Sequence, residues 1–163
     1  MKKLRFAVLL LAILGALGAL PFQGTDVAEL IPVRTIFISG SGREYTVDVG
    51  AGVRAVGQTV RDALKALREE ASGVVFFDTA EQVIVSEAAS DAVEEITGLP
   101  ELRPAAGLWL TPAEALDPEA AADYLAAHPG DLTIMEVRTE LLSGIRPQIP
   151  GLLPADGGFR VYE

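Results

Sequence analysis

The sequence predicts an α+β fold: a mixed sheet of about four strands covered by helices, behind an N-terminal signal or anchor segment. Three stretches predict it. Residues 57–87 read as a capped amphipathic helix, a turn, and β-branched and aromatic runs suited to a covered strand. Residues 31–49 hold two alternating runs about a glycine-rich turn. Residues 86–142 mix further helix starts with one apolar strand around Trp109, the only tryptophan.

The first five residues carry Lys2, Lys3 and Arg5, and an uncharged apolar run from Phe6 to Leu20 ends at Pro21. That layout predicts a secretory signal or a short N-terminal anchor over residues 1–23. A spanning helix wants about 20 apolar residues, so the shorter run favours a signal-type segment. Ala16, Gly18 and Ala19 offer small residues for cleavage without a clean Ala-x-Ala. The basic flank keeps the start of the chain inside and sends the rest out, which predicts an exported protein. If the leader is not cleaved, it also ties the protein to a membrane.

Ile31 to Ser39 and Glu44 to Val49 read as a hairpin around Gly40-Ser-Gly42. That pair of glycines and Gly50-Ala-Gly52 are turn residues. A dinucleotide fingerprint needs three spaced glycines between a strand and a helix, and this context lacks them. Thr59 stands at an N-cap with Asp62 three positions on, a capping box. Val60, Ala63, Leu64, Leu67 and Ala71 then recur at helical spacing, with Arg61, Asp62, Lys65, Arg68 and Glu69 between them. This is one apolar stripe on a surface helix, and Ser72-Gly73 supplies its stop. Val74 to Phe77 and Val83 to Val85 read as strand, with Leu64 and Leu67 expected against the strands holding Phe77 and Ile84.

Ser86 caps a helix over Ala88 to Thr97, closed by Gly98 and Pro100. Ala105 to Leu110 is a further strand with Trp109 in the core. Thr111-Pro112-Ala-Glu114 and Asp117-Pro118-Glu119 both announce a helix, so two short helices or a kinked one are expected over Pro112 to Ala127. Leu132 to Leu142 shows both periods. Met135, Val137, Thr139 and Leu141 alternate, while Thr133 and Glu136 form a capping box that favours helix. From Gly144 the prolines and glycines predict an irregular tail over residues 144–163, with a last strand at Phe159 to Tyr162.

Composition excludes several chemistries. The chain has no cysteine, so disulfides and thiolate catalysis or metal binding are ruled out. Of 13 basic and 23 acidic residues, the leader holds three basic and none of the acidic, leaving 10 − 23 = −13. That charge repels phosphate backbones and anionic lipid, and nucleic acid is not expected as a partner. His128, the only histidine, stands at a helix end before Pro129, with only Asp131 near in sequence. A general base wants an orienting carboxylate and a nucleophile, and a metal wants several spaced ligands. Glu69-Glu70 and Glu94-Glu95 are adjacent on helices, point apart and read as solvated faces. Ser86 has no flanking glycine and makes no nucleophile elbow. The sequence therefore predicts no catalytic, cofactor-binding or metal-ligating residue, and a protein that is not an enzyme.

One resemblance rests on Gly57-Gln-Thr59, Asp62-Ala63-Leu64, Leu67, Phe76-Phe77 and Val83-Ile84-Val85-Ser86-Glu87. Asp26-Val-Ala-Glu29-Leu30 and Tyr45-Thr-Val precede this core. Leu102-Arg103-Pro104, Leu108-Trp109-Leu110, Ala113-Glu-Ala-Leu116, Pro147-Gln-Ile-Pro150 and Gly157-Gly158 follow it. The pattern resembles the N-terminal domain of spore-germination C subunits, the Ger(x)C or GerAC-like family, over roughly residues 26–163. The resemblance implies a domain over residues 24–143, in a single-domain or truncated relative whose residues 144–163 stand where a second domain would begin. It further implies a role in spore germination through contacts with membrane germinant-receptor subunits, at the spore inner membrane. The alternative expectation is an exported binding or structural domain with an unrelated partner.

Overall fold

The computed structural model describes residues 30–162, so the leader expected over residues 1–23 lies outside the described residues. Nine strands and four α-helices alternate along these residues: β1 (Leu30–Pro32), β2 (Thr35–Ser41), β3 (Glu44–Asp48), β4 (Arg54–Gly57), α1 (Val60–Glu70), β5 (Val74–Phe76), β6 (Gln82–Ser86), α2 (Val93–Thr97), β7 (Gly107–Thr111), α3 (Pro118–Ala127), α4 (Ile134–Leu142), β8 (Gly151–Ala155) and β9 (Gly158–Tyr162). The fold is α+β with a mixed sheet, as expected, but the sheet has seven strands rather than about four. Their order is β4-β3-β2-β6-β7-β8-β9. The central strands β2, β6, β7 and β8 run parallel, and antiparallel hairpins close both sides.

Both sheet faces are covered. Ile36, Ile38, Val83, Val85 and Leu108 point into one core cluster with α1, α2 and α4. Phe37, Ile84, Trp109 and Leu152 point to the other face, where Ala121 and Leu125 of α3 meet them. Double coverage explains why β6 reads as a continuous apolar run, and why Ile36, Phe37 and Ile38 of β2, expected to alternate, are all buried. It also corrects one expected contact. Leu64 and Leu67 pack with Phe77, Val83 and Val85, whereas Ile84 turns to the opposite face because successive strand side chains alternate.

The first apolar run after α1 is no buried strand. β5 pairs in parallel with β1 in a separate two-stranded sheet, and Val74 and Phe76 are 45% and 44% exposed. Phe77 leaves the strand for a 3-10 turn, Phe77–Thr79. There the Thr79 hydroxyl accepts from Val33 N at 3.1 Å, and its single hydrogen has the Phe76 and Val33 carbonyls in reach, at 2.8 and 3.0 Å. The stop of α1 also differs. Ala71 takes an extended backbone and ends the helix before Gly73, which needs no left-handed conformation.

The N-terminus of α1 shows what the local sequence hides. Thr59 Oγ1 accepts from Asp62 N at 3.1 Å, the first half of the expected capping box. The next free donors, Arg61 N and Val60 N, give instead to the Glu95 carboxylate of α2, at 2.9 and 3.4 Å. A carboxylate there satisfies orphaned N–H groups and meets the positive end of the helix dipole. Glu95 is half-buried in this role, and only Glu94 of that pair stands free in solvent. Next to it, Tyr45 donates to Asp91 Oδ2 at 3.0 Å. Burial, then the bond to Asp91 and the charges of Asp91 and Glu95, raise the phenol's pKa.

Thr111 likewise departs from expectation. It does not cap a helix; it ends β7 fully buried, paired with Ser86. Pairing with β6 claims Thr111 for the sheet, and no helix opens at Pro112. The second signal wins alone: Asp117 Oδ1 accepts from Glu119 N and Ala120 N, and α3 is a single helix. The Thr133–Glu136 box forms in both directions and settles residues 134–142 as helix. Ser86 caps Ala89 N, but the helix it opens begins as a 3-10 segment, Glu87–Ala92, before α2. The irregular part of the tail is residues 144–150; β8 and β9 then form a hairpin on the main sheet.

Candidate functional site

A large concavity lies where the sheet parts. β7 pairs with β8 only at Leu110–Gly151. Before that point Leu108 N donates to Leu132 O at 3.0 Å, and Leu110 N donates to Pro150 O at 3.0 Å. Two chain segments, residues 129–132 and 147–150, thus line β7 in place of a full strand. Pro147 and Pro150 have no N–H to continue a ladder. Between the segments opens a groove of about 1160 Å³, with Trp109 and Leu110 beneath it and Tyr124, His128, Asp131, Gln148 and Arg160 around it.

Trp109 is held from several sides. Its Nε1–H donates to Gln82 Oε1 at 2.7 Å, which satisfies the one polar atom of a ring that is 1% exposed. Gly130 lies so close that an added Cβ would collide with the ring, and one at Gly107 would collide with Gln82 Oε1. Trp109 is a core residue, as expected. A molecule in the groove would meet Tyr124, His128 and Arg160 rather than the face of the indole.

His128 caps the C-terminus of α3. Its ring stacks on Tyr124 with centroids 4.3 Å apart and planes 14° apart, and Tyr124 in turn tilts against Phe159 at 5.7 Å. His128 Nδ1 lies 3.0 Å from Tyr124 O. A carbonyl only accepts, so Nδ1 carries the hydrogen, and Nε2 of a neutral ring is left as acceptor. Asp131 shares the groove with His128 but makes no hydrogen bond to it. Among the described residues, no three His, Asp or Glu side chains are placed to hold a metal ion. Replacing His128 with Ala should cost about 0.3–1 kcal/mol, the scale of an interaction at a helix end, read by urea denaturation. A larger loss, or zinc purifying with the protein, would show a role that this geometry does not account for.

The groove gathers Trp109, His128 and Asp131 of the residues singled out in the sequence. Glu69, Glu70, Glu94 and Ser86 lie outside its lining. Tyr124, Gln148 and Arg160 belong to the groove, and Gln82 to its support, yet none was marked as a site residue by the sequence; Gln148 stood only within the Pro147-Gln-Ile-Pro150 run. Each reaches the site through the fold alone, from α3, the 144–150 segment, β9 and β6. Compared with known proteins, the chain matches no family model, no curated protein and no solved structure.

Proposed function

We propose that this is an exported, non-enzymatic protein of spore germination that works by protein contacts beside membrane germinant-receptor subunits. One observation supports the reading above others. The apolar positions that carry the resemblance to germination C subunits, Leu64, Leu67, Phe77, Val83 and Val85, meet in one core cluster. Spaced similarity of that kind is what a shared packing unit would leave, because core positions are held by what they touch. The basic flank and apolar run of residues 1–20 support export. Among the described residues no helix is long and apolar enough to cross a membrane.

Deletion of the gene in the producing organism tests the reading. Spores should form normally and respond poorly to nutrient germinants, and a reporter fused after Glu163 should be active only outside the cytoplasm. Normal nutrient germination in the deletion strain sinks the germination role. Cytoplasmic reporter activity sinks export. The second reading is an exported binding domain with an unrelated ligand, and the groove of about 1160 Å³ favours it. Changes in Trp109 emission on screening small molecules would bring it forward.

A further inference from the structure

The lining of the groove beside β7 offers two kinds of surface. One is a short stack of rings, Phe159, Tyr124 and His128, with His128 at its open end. Tyr124 is half-buried and lies nearly parallel to the His128 ring, which is exposed. The ring is held in place, because its Nδ1–H donates to Tyr124 O one turn back on α3. It is a small, flat, fixed platform at the groove. The other surface is polar. Asp131, Gln148 and Arg160 border the groove from three separate segments, and all are exposed. No side-chain hydrogen bond or ion pair among the described residues engages any of the three.

Together these groups supply a carboxylate that accepts, a guanidinium that donates and an amide that does both. A ligand that matches them carries hydroxyls, which also do both, and an apolar face for the ring. A sugar ring has this make-up. Its axial C–H groups are slightly positive and suit the negative face of an aromatic ring. Its neighbouring hydroxyls suit the two-pronged side chains of Asp, Gln and Arg.

Other classes fit less of the lining. An anionic ligand would meet one guanidinium in a protein whose charge beyond its leader is −13, whereas a neutral ligand is not repelled. An extended peptide would add to a sheet edge, but Leu108 N and Leu110 N of β7 already donate to Leu132 O and Pro150 O. Size favours several rings over one. The groove's volume of about 1160 Å³ is above the ~300–1,000 Å³ usual for small-molecule pockets.

We propose that this groove binds a neutral oligosaccharide, with one sugar ring stacked on His128 and its hydroxyls bonded to Asp131, Gln148 and Arg160. The proposal rests on the second reading, of the chain as an exported binding domain, and names the class of its ligand.

His128 is the only histidine, so its ring C–H resonances report on the groove alone. The full chain, in a detergent without a sugar headgroup, is titrated with cellotriose, chitotriose and maltotriose. At least one should bind saturably and shift those resonances. Calorimetry should then show that binding weakened roughly tenfold or more by His128→Ala and by Gln148→Ala. His128→Tyr restores a flat ring and should recover much of the loss, which a merely structural role for His128 would not predict. Gln148 is exposed, so Gln148→Ala should keep the melting temperature and tests the site independently. Binding of none of the three sugars, equal binding by the variants, or tighter binding of the acidic trigalacturonate overturns the proposal. If the sugars fail while benzoate shifts the same resonances, the sugar class falls and the binding-domain reading stands. If neither shifts them, both fall.

Discussion

Leu64→Ala should lower the unfolding free energy by about 2–5 kcal/mol, the range for a leucine whose removal leaves a cavity. Leu64 is 2% exposed and sits with Leu67, Phe77, Val83 and Val85, where α1 closes over the sheet. The neighbours cannot easily collapse into the gap. α1 is tied at its start by Thr59 and Glu95, and β6 is fixed between two parallel strands. Against a typical domain stability of about 5–15 kcal/mol, such a loss moves the melting transition visibly. Urea titration of the variant measures it, with an unchanged m-value as the sign that both states keep their compactness. An unchanged melting temperature would mean that α1 does not cover the core.

The contrast between Leu64 and Glu95 explains how much of the fold was legible in the sequence. Leu64 belongs to a stripe, and stripes, caps and turn glycines are written within a few residues of one another. Val60–Glu70, the β2–β3 hairpin and the Thr133–Glu136 box follow from such local signals. Glu95 caps a helix that begins 35 residues earlier in the chain, as its bonds to Val60 N and Arg61 N record. No local reading can supply that. The same reason accounts for the strand count. β8 contains Gly151 and Pro154, and it becomes a strand only because β7 and β9 offer it partners. Thr111 shows the reverse, a sound local helix signal overruled by strand pairing. At the candidate groove, Trp109 and His128 stood out as single residues, while Tyr124 and Arg160 had no feature to mark them as site residues before the sheet brought them together.

Trp109→Ala should be the most damaging single change on the opposite face, at about 3–5 kcal/mol for a fully buried aromatic. The ring is the largest fully buried side chain and joins Phe37, Ile84 and Leu152 of the sheet to Ala121 and Leu125 of α3. Beyond that cluster α3 is held by the exposed Arg34–Asp123 pair and by Tyr124 against Phe159. Removal also strands Gln82 Oε1, which accepts the indole N–H and would be left without its partner. Trp109→Phe separates the two effects. It keeps most of the apolar contact and loses the hydrogen bond, so it should cost clearly less than Trp109→Ala while remaining measurable. Hydrogen exchange then gives the location: the amides of α3 should lose protection in Trp109→Ala while those of α1 keep theirs relative to the new global stability. Equal loss in both helices would show that the two faces unfold as one unit. A wild-type stability in Trp109→Ala would mean that the ring does not anchor α3 and that the groove above it rests on other contacts.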